Sequence, residues 1–513
     1  MKTDFSQQLT WLKRAIITMC ASVLLLHAHL SVAAITLEQE IKVTDQALFF
    51  DGVKIGSVKK ARSAADVGPH QYDFKYGNAI SPHGDAIKVY KNFVFMTWYR
   101  GGKQDRHVML TRYNMSTKTR VTIEFPHQHT GFEGRWWVGE THNTIAVGIS
   151  PKNETIHLLY DMHAYHRGTK TGGNGSFEKD YFRYSYSVAG AATVPDAKFT
   201  LSQFVKDTSK ANEGPNDYKH VTMSGVENHK DYSQLTYPQF FLNNQGDLFM
   251  QMRQGTSHDG KIQFIKYDGV STWGAFKSFN ALGAKANGES HNWSIYGSMK
   301  FQNGKIGIGF QRRLNNRSDK FKYQNGIYFA YSDDPTGQSQ WKNDQGKAIT
   351  MPLVKAEDVL VTEPGDLVKT TATNKISIVG GFDWAITEQG DVHIISRVQD
   401  LEHKQTVNTH SYKKAGQASF MTSTDFVGAE KIYSAGHNIL IIGLSNGLPY
   451  IEQARGGTNQ FKRVYQGNTN GRRFSKGVAH IYQGKLYYYL LAQGKGDQRS
   501  TYLQIIDLGV EPK

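Results

Sequence analysis

The chain has 513 residues, a formal net charge of +15 and a single cysteine, Cys20. One cysteine excludes internal disulfide bonds and cysteine-rich zinc sites. Glycine is frequent, at 50 residues, aromatic residues reach 12%, and long segments with a 3.6-residue apolar period are absent, which excludes a mainly helical fold.

Residues 1–34 have the pattern of a cleaved secretory signal peptide. Lys13 and Arg14 precede an apolar run that ends in small residues at 33–34. Cleavage there would remove Cys20 together with a net charge of +2, and would leave +13 on the remaining chain. We therefore expect a secreted bacterial protein, extracellular or periplasmic, without a membrane span in its mature form. A retained membrane anchor and a lipoprotein are the alternatives.

The basic charge favours a polyanionic partner, which could be nucleic acid, a lipid surface or an acidic polysaccharide. No nucleic-acid-binding motif is present, so an acidic glycan is the preferred interpretation and no nucleic-acid partner is expected. The competing interpretation is that the excess charge serves solubility alone.

Seven hairpin patterns follow one another along the chain, each with β-branched or aromatic runs joined by a polar turn. They lie at 84–100, 142–163, 237–254, 294–313, 381–397, 436–455 and 474–493. Units of this kind predict an all-β, seven-bladed β-propeller with a substrate canyon on one face, formed by a single domain over 35–513. A pair of β-sandwiches and a β-helix are the structural alternatives.

Several connecting segments have their own signatures. The stretches at 267–273 and 331–341 resemble degenerate Asp-box turns, which are common in propeller enzymes that act on glycans. Residues 35–75 are interpreted as a lead-in segment, and residues 167–232 as a long surface insertion.

Turn positions fix the register of three hairpins. In the second, a turn at 151–154 pairs Ile149 with Ile156 and brings His142 opposite His163 at the open end. In the third, the same reasoning places Tyr237 opposite Arg253, and in the fourth it places Tyr296 opposite Gln311. Arginines that lie at or beside the open ends are Arg100, Arg312, Arg313, Arg397 and Arg455. Because equivalent strands of all blades run the same way, these side chains should line one mouth, where arginine suits carboxylate and sulfate.

Three kinds of chemistry compete for this mouth. Several histidines could bind a metal, namely His127, His129, His142, His157, His163 and His166. No HExxH motif or acidic cage accompanies them, so no catalytic metal is expected, whereas a structural calcium or zinc ion is left open. Hydrolysis by paired carboxylates has only Asp85, Glu140 and Asp161 as candidates, without a clear pair.

The third chemistry is β-elimination on a uronic acid. It needs a cation for the carboxylate, a base near neutrality and an acid for the leaving oxygen. Arg253 supplies the first, and His142, His163 and Tyr237 supply the other two without a metal. The sequence leaves open which of these three is the base and which the acid.

The motifs HNTIAVGI, ETIHLLYDMH, LTYPQFFLNNQGDLFMQMRQG and IYGSMKF resemble those of the BNR-repeat-containing polysaccharide lyases. Within that family the chain is most similar to the secreted ulvan lyases of marine bacteria, which are seven-bladed propellers. The resemblance implies catalytic roles for His142, His163, Tyr237 and Arg253. It also implies that Tyr296 and either Arg312 or Arg313 contact substrate. Further substrate-binding predictions are Asn143, Arg100 and Arg397.

The predicted function is endolytic cleavage of ulvan, a sulfated rhamnose and uronate polymer, at C4 of the uronate. The product would carry an unsaturated uronate end. Alternatives are a glycan-binding propeller without catalysis and a sialidase-like glycosidase. The predicted chemistry requires no cofactor, the predicted partner is the anionic polysaccharide, and a monomer is expected.

Overall fold

The structure is a computed structural model that describes residues 34–510, except 58–59, 64–70, 133–134, 161–162, 164–181, 317, 379 and 469–470. The predicted signal peptide, up to residue 33, and part of the predicted insertion, at 167–181, lie outside the described residues. So do Asp161 and His166.

Seven antiparallel units follow one another along the chain, and we number them as blades one to seven; a parallel bridge between Gly260 and Ser294 joins the third and fourth into one nine-stranded sheet. Blades one to three contain β3 (Ile87–Tyr90), β4 (Phe93–Tyr99), β5 (His107–Asn114) and β6 (Thr119–Gln128); β8 (Ile145–Ile149), β9 (Ile156–Tyr160) and β10 (Tyr184–Tyr186); and β11 (Leu235–Leu242), β12 (Leu248–Gly255), β13 (Gly260–Lys266) and β14 (Lys277–Ser278).

Blades four and five contain β15 (Trp293–Gln302), β16 (Lys305–Leu314), β17 (Asn325–Ser332), β18 (Trp341–Asn343) and β19 (Leu360–Thr362); and β20 (Ile376–Ser377), β21 (Asp383–Ile386), β22 (Val392–Asp400), β23 (Gln405–Lys413) and β24 (Met421–Ser423). Blades six and seven contain β25 (Ile432–Ala435), β26 (Asn438–Ser445), β27 (Leu448–Arg455) and β28 (Lys462–Gln466); and β29 (Phe474–Tyr482), β30 (Lys485–Ala492), β31 (Gln498–Asp507) and β1 (Thr36–Leu48).

A small parallel pair, β2 (Asp73–Phe74) and β7 (Val138–Gly139), stands outside the blades. Short 3-10 helices in the described chain are Ala191–Thr193, Asp196–Lys198, Leu201–Gln203, His229–Tyr232, Ala284–Asn287, Ala356–Val359 and Pro364–Leu367. None of the described helices is long and apolar enough to cross a membrane.

The first strands of the blades form a closed ring. β3 contacts β8, β8 contacts β11, and the series continues through β15 and β21 to β25. Blade six reaches blade seven through β26 and β29, and β29 contacts β3 again. The predicted all-β, seven-bladed propeller is therefore confirmed, with the starts of the first strands gathered at one end of the ring, called the mouth below.

Blade seven is closed by a strand from the other end of the described chain. β1 pairs antiparallel with β31, from Thr36 opposite Asp507 to Leu48 opposite Gln498. The interpretation of residues 35–75 as a lead-in segment was therefore wrong for β1, which completes a sheet and leaves the ring without an open edge.

Hairpin registers show where turn arithmetic succeeds. β8 and β9 pair as predicted, from Ile149 opposite Ile156 to Ile145 opposite Tyr160. β15 and β16 also pair as predicted, with Tyr296 opposite Gln311. Turns in both hairpins are short and polar, so the register set at the turn persists to the open end.

The third hairpin differs at its open end. Gln239 pairs with Gln251 in the predicted register, but a β-bulge follows, and Thr236 rather than Tyr237 faces Arg253. Tyr237 has a φ of 57° within this bulge. A bulge turns a side chain away from its expected direction, so the predicted pairing of Tyr237 with Arg253 was wrong.

The sixth hairpin pattern is displaced by one strand. Residues 436–455 form β26 and β27, whereas the first strand of that blade is β25. Arg455 pairs with Asn438 at the start of β26, next to the turn after β25. Since first strands start at the mouth, Arg455 lies at the opposite end of the ring, and its predicted place in the mouth was wrong.

Both Asp-box-like stretches form the turns that their sequences predict. Asp334 accepts hydrogen bonds from the backbone N–H groups of Thr336 and Ser339, and Trp341 Nε1 donates to Gly337 O over 2.8 Å. Asp268 likewise accepts from three consecutive backbone N–H groups, at 270–272. Side-chain caps of this kind fix the connections between outer strands.

Blades pack face to face with little space between them. Trp384 in β21 is fully buried against the glycines of β16. A Cβ atom at Gly309 would lie 2.3 Å from Trp384 Cδ1, so only glycine allows the indole this close.

Candidate active site

A buried carboxylate organises two histidines at the mouth of blade two. Glu140 follows β7 and is fully buried. His142 Nδ1 lies 2.8 Å from Glu140 Oε1, and His163 Nδ1 lies 3.2 Å from Glu140 Oε2. Burial alone would raise the pKa of Glu140, but these two histidines lower it to about 2. The carboxylate is therefore ionised at neutral pH; it lies beside Nδ1 of both rings, and its Oε1 also accepts the backbone N–H of His142 over 2.8 Å.

The two imidazoles are neighbours, as the hairpin arithmetic predicts. Their ring centroids are 4.6 Å apart. Their side chains are 29% exposed for His142 and 16% for His163, so both keep an open side. Glu140 contacts Nδ1 of each ring, which favours a proton at Nδ1 and a lone pair at Nε2.

Tyr237 adds a phenol to the histidine pair. Its ring centroid is 5.7 Å from that of His142 and 5.6 Å from that of His163. Burial raises the pKa of Tyr237 well above its ordinary value, with Tyr296 adding to the shift and Arg253 opposing it. The phenol therefore remains protonated at neutral pH and is a proton donor. The bulge in β11 turns it toward the histidines, although it removes the predicted pairing with Arg253.

Arg253 projects from β12 toward the next blade. Its Nε and Nη2 donate to Ser294 Oγ over 3.1 and 2.6 Å, and Nη2 also donates to Thr256 O. The guanidinium lies over the Tyr296 ring, 4.8 Å from its centroid. Within the described residues no carboxylate forms an ion pair with Arg253, although the side chain is largely buried. A buried cation held only by neutral groups is suited to an anionic ligand.

Two residues that were predicted to contact substrate have partners inside the protein. Asn143 is fully buried, and its Oδ1 accepts the backbone N–H of His163 over 2.7 Å. Arg312 lies on the strand face opposite to Tyr296, where it pairs with Glu357 at 2.5 Å and Asn325 at 3.3 Å. Asn143 thus positions the backbone of His163, and Arg312 forms an ion pair within the fold, while substrate contacts by these two residues stay predictions.

The remaining predicted arginines differ in the groups that they contact. Arg313 faces Ser294 across the strands and lines a cavity of about 290 Å³ with Tyr323, so it shares the face of Tyr296. Two further arginines are engaged by carboxylates. Arg100 pairs with Glu124 at 2.6 Å and Asp105 at 2.9 Å, and Arg397 lies 3.9 Å from Glu430.

The candidate metal-ligating side chains are the histidines and one carboxylate. Among the described residues, Glu140, His142 and His163 form the one cluster of three metal-ligating side chains, with their donor atoms within 4.8 Å of one another. His157, another predicted candidate, is buried between Thr155 and Tyr184, and burial lowers its pKa to about 3. His127 and His129 hold backbone groups of Tyr218 and of Glu140 and Gly131.

Two residues of the site were missed by sequence reasoning. Glu140 was considered only as half of a hydrolytic pair, although its position two residues before His142 was a visible signal. Tyr76 precedes the blades, and its ring centroid lies 4.6 Å from that of His142. No local pattern indicated Tyr76, because it reaches the site from the segment after β2.

The chain is similar to known proteins both in sequence and in structure. Residues 93–424 match the model of the BNR repeat-containing family. The chain is 49% identical over 496 residues to an ulvan lyase, long isoform, from Pseudoalteromonas sp. (strain PLSV), with 96% of this chain and 49% of that protein covered. It is 48% identical to an ulvan lyase, short isoform, from Alteromonas sp. (strain LOR), with 93% and 91% covered.

The chain thus spans about half the length of the long-isoform relatives that it matches. A solved structure, that of the polysaccharide lyase Uly1, is 62% identical. It superimposes with a TM-score of 0.88 and covers 92% of this chain and 100% of that chain.

Proposed function

The chain belongs to the BNR repeat-containing family, together with the ulvan lyases that it matches, and from this membership we propose that it is an endolytic ulvan lyase. The observation that carries the proposal is the juxtaposition of two Glu140-bound histidines and the protonated Tyr237 in one ring cluster. An arginine without a carboxylate partner, Arg253, stands on the next strand pair.

In the proposed reaction, Arg253 binds the uronate carboxylate and stabilises the charge that develops when C5 loses its proton. His142 Nε2 accepts that proton, because Glu140 contacts Nδ1 and stabilises the resulting imidazolium. Tyr237 donates its phenolic proton to the glycosidic oxygen at C4. The C5–H and C4–O bonds break, a C4=C5 double bond forms, and no water is consumed.

The assignment of base and acid is supported by the environment of each group. The raised pKa of Tyr237 keeps the phenol protonated at neutral pH, so it enters the reaction as a proton donor, whereas His142 is the more exposed imidazole. His163 shares the carboxylate of Glu140 and keeps that carboxylate oriented. The proposed chemistry uses no metal, and Arg313 with Tyr296 would form part of a canyon for the anionic polymer.

We also propose that the protein is secreted and acts as a monomer on the polymer outside the cell. The signal-like pattern at 1–34 supports secretion, and the basic charge supports action on an anionic polymer.

The test is incubation with ulvan, followed by ultraviolet absorbance of the unsaturated uronate and by the size of the products. We expect absorbance to rise while chain length falls early, as endolytic cleavage requires. Shortened chains without absorbance would indicate a hydrolase instead. Binding without shortening would indicate a glycan-binding propeller.

A further inference from the structure

A lysine and a histidine lie on the other side of the histidine pair from Arg253. Lys476 is near the start of β29 in blade seven, and His83 lies in the segment that leads into β3 of blade one. The ring order of the blades therefore runs from Lys476 through His83 to His142. All three belong to the mouth end of their first strands, and the electrostatic influence of both Lys476 and His142 reaches the His83 ring.

Lys476 contacts a neutral backbone carbonyl at a position where a carboxylate would be expected. Its Nζ donates to Ala79 O over 3.1 Å, and no described carboxylate forms an ion pair with it. Burial lowers the pKa of Lys476 to about 7, while the more distant Glu430 acts in the opposite direction. Removing a cation from water without an anion is unfavourable, so such a position is typical of a group that meets a charged ligand.

His83 offers a second unused polar atom beside this lysine. Its Nδ1 is buried and has no hydrogen-bond partner among the described residues. Burial, followed by Lys476 and His142, holds the pKa of His83 well below its ordinary value, so the ring is neutral. A neutral imidazole can form a hydrogen bond with a sugar hydroxyl without adding charge.

We propose that Lys476 and His83 form an anion subsite for a sulfate ester and a neighbouring hydroxyl of the sugar next to the cleaved uronate. This inference rests on the proposed function, in which Arg253 already holds the carboxylate. The planar fork of arginine matches a carboxylate, whereas the lysine ammonium is a point charge that suits a tetrahedral sulfate. The polymer would therefore cross the mouth from blade four toward blade seven, over the histidine pair.

Kinetics of Lys476→Met on native and chemically desulfated ulvan test this subsite. With native ulvan, we expect KM to rise about tenfold while kcat stays within about twofold, because a charged hydrogen bond is lost outside the reacting bonds. With desulfated ulvan, the variant and the unaltered protein should have equal KM. Lys277→Met, at an exposed position in β14, is the matched control and should change neither KM nor kcat.

Equal KM values for Lys476→Met and the unaltered protein on native ulvan would overturn the subsite, and so would the same rise in KM on both substrates. Lys476→Arg keeps the inference testable if the methionine variant folds poorly. The unaltered protein should lose affinity for native ulvan above pH 7, because burial makes the Lys476 amine lose its proton there. Glu430 opposes this effect, and the neutral His83 adds no charge. Lys476→Arg should remove that loss, and persistence of the loss would contradict the role of Lys476.

His83→Ala and His83→Asn separate a binding role from a packing role. The asparagine amide restores a polar atom near Nδ1, so it should recover most of the affinity that alanine loses. Equal affinity in both variants and in the unaltered protein would exclude His83 from the subsite. Absence of unsaturated product from the unaltered protein would instead defeat the proposed function, which distinguishes the two failures.

Discussion

The carboxylate of Glu140 is fully buried and lies 2.8 Å from Nδ1 of His142, at the mouth of a seven-bladed ring. A carboxylate in this position fixes the ring orientation and the tautomer of the histidine that it contacts. Activity should therefore depend on a residue that never meets the substrate.

Glu140→Gln preserves the size of the side chain and removes its charge. We expect kcat to fall about 100-fold, since the imidazolium formed during proton abstraction loses its counter-charge. The initial rate of unsaturated uronate formation at saturating ulvan measures this fall. A rate equal to that of the unaltered protein would show that the charge of Glu140 does not contribute to catalysis.

The same carboxylate should contribute to stability in a defined pH range. Its pKa is lowered from 4.5 to about 2 on folding, so the folded state binds fewer protons than the unfolded state in between. The contribution is complete above about pH 4.5 and is lost as pH falls toward 2. Denaturant unfolding at several pH values should show a shallower acid-side loss of stability for Glu140→Gln than for the unaltered protein.

Tyr237→Phe keeps the aromatic ring and removes the proposed proton donor. Because general acid catalysis contributes about 100- to 10,000-fold, kcat should fall within that range while KM changes little. Production of unsaturated uronate at initial rate is the measurement. Tyr412→Phe, in an outer part of blade five, is the matched control. Full activity of Tyr237→Phe would transfer the acid role to a histidine.

Chelation and added zinc test whether the proposed reaction needs a metal ion. EDTA should leave activity unchanged, because the proposed elimination uses arginine rather than a metal as its electrophile. Added zinc ions should inhibit, since Glu140, His142 and His163 present three ligands within 4.8 Å and the ion would occupy the base. Inhibition should weaken in Glu140→Gln. Loss of activity with EDTA, without a fall in the free energy of unfolding, would overturn the metal-free chemistry.

Gly309→Ala tests the packing between blades four and five. The added Cβ would meet Trp384 at 2.3 Å, so we expect a loss of about 1–3 kcal/mol in the free energy of unfolding. Denaturant titration measures this loss. Gly304→Ala, in the exposed turn of the same hairpin with a φ of 75°, has open space around its Cβ position and reports backbone strain alone.

Much of the fold was predictable because hairpins with short polar turns carry their register within them. β8 with β9 and β15 with β16 are local pairings, and both agree with the arithmetic from the turn. The bulge at Tyr237 was not predictable, since a positive φ at a tyrosine leaves no mark in the residue pattern. The sixth hairpin pattern was assigned to the wrong pair of strands because the first strand of that blade, β25, has only four residues.

The site was predictable to the extent that it resides on hairpin ends. His142 and His163 come from one hairpin, so their proximity follows from one turn. Glu140 precedes that hairpin and Tyr76 comes from a distant segment, so only the folded chain reveals that they meet the histidines. Burial of Asn143 and the ion pair of Arg312 are likewise consequences of packing between elements.

The pairing of β1 with β31 also has a kinetic meaning. It joins positions as far apart as Glu40 and Gln504, which are 464 residues distant in sequence. Contacts of such separation carry the largest loop-closure cost, so blade seven should be the last to consolidate during refolding. Lys476 lies on β29 of that blade, and its Nζ donates to Ala79 O in the segment that bears His83. A refolding molecule would thus bring His142 and His163 together before it completes the proposed sulfate subsite.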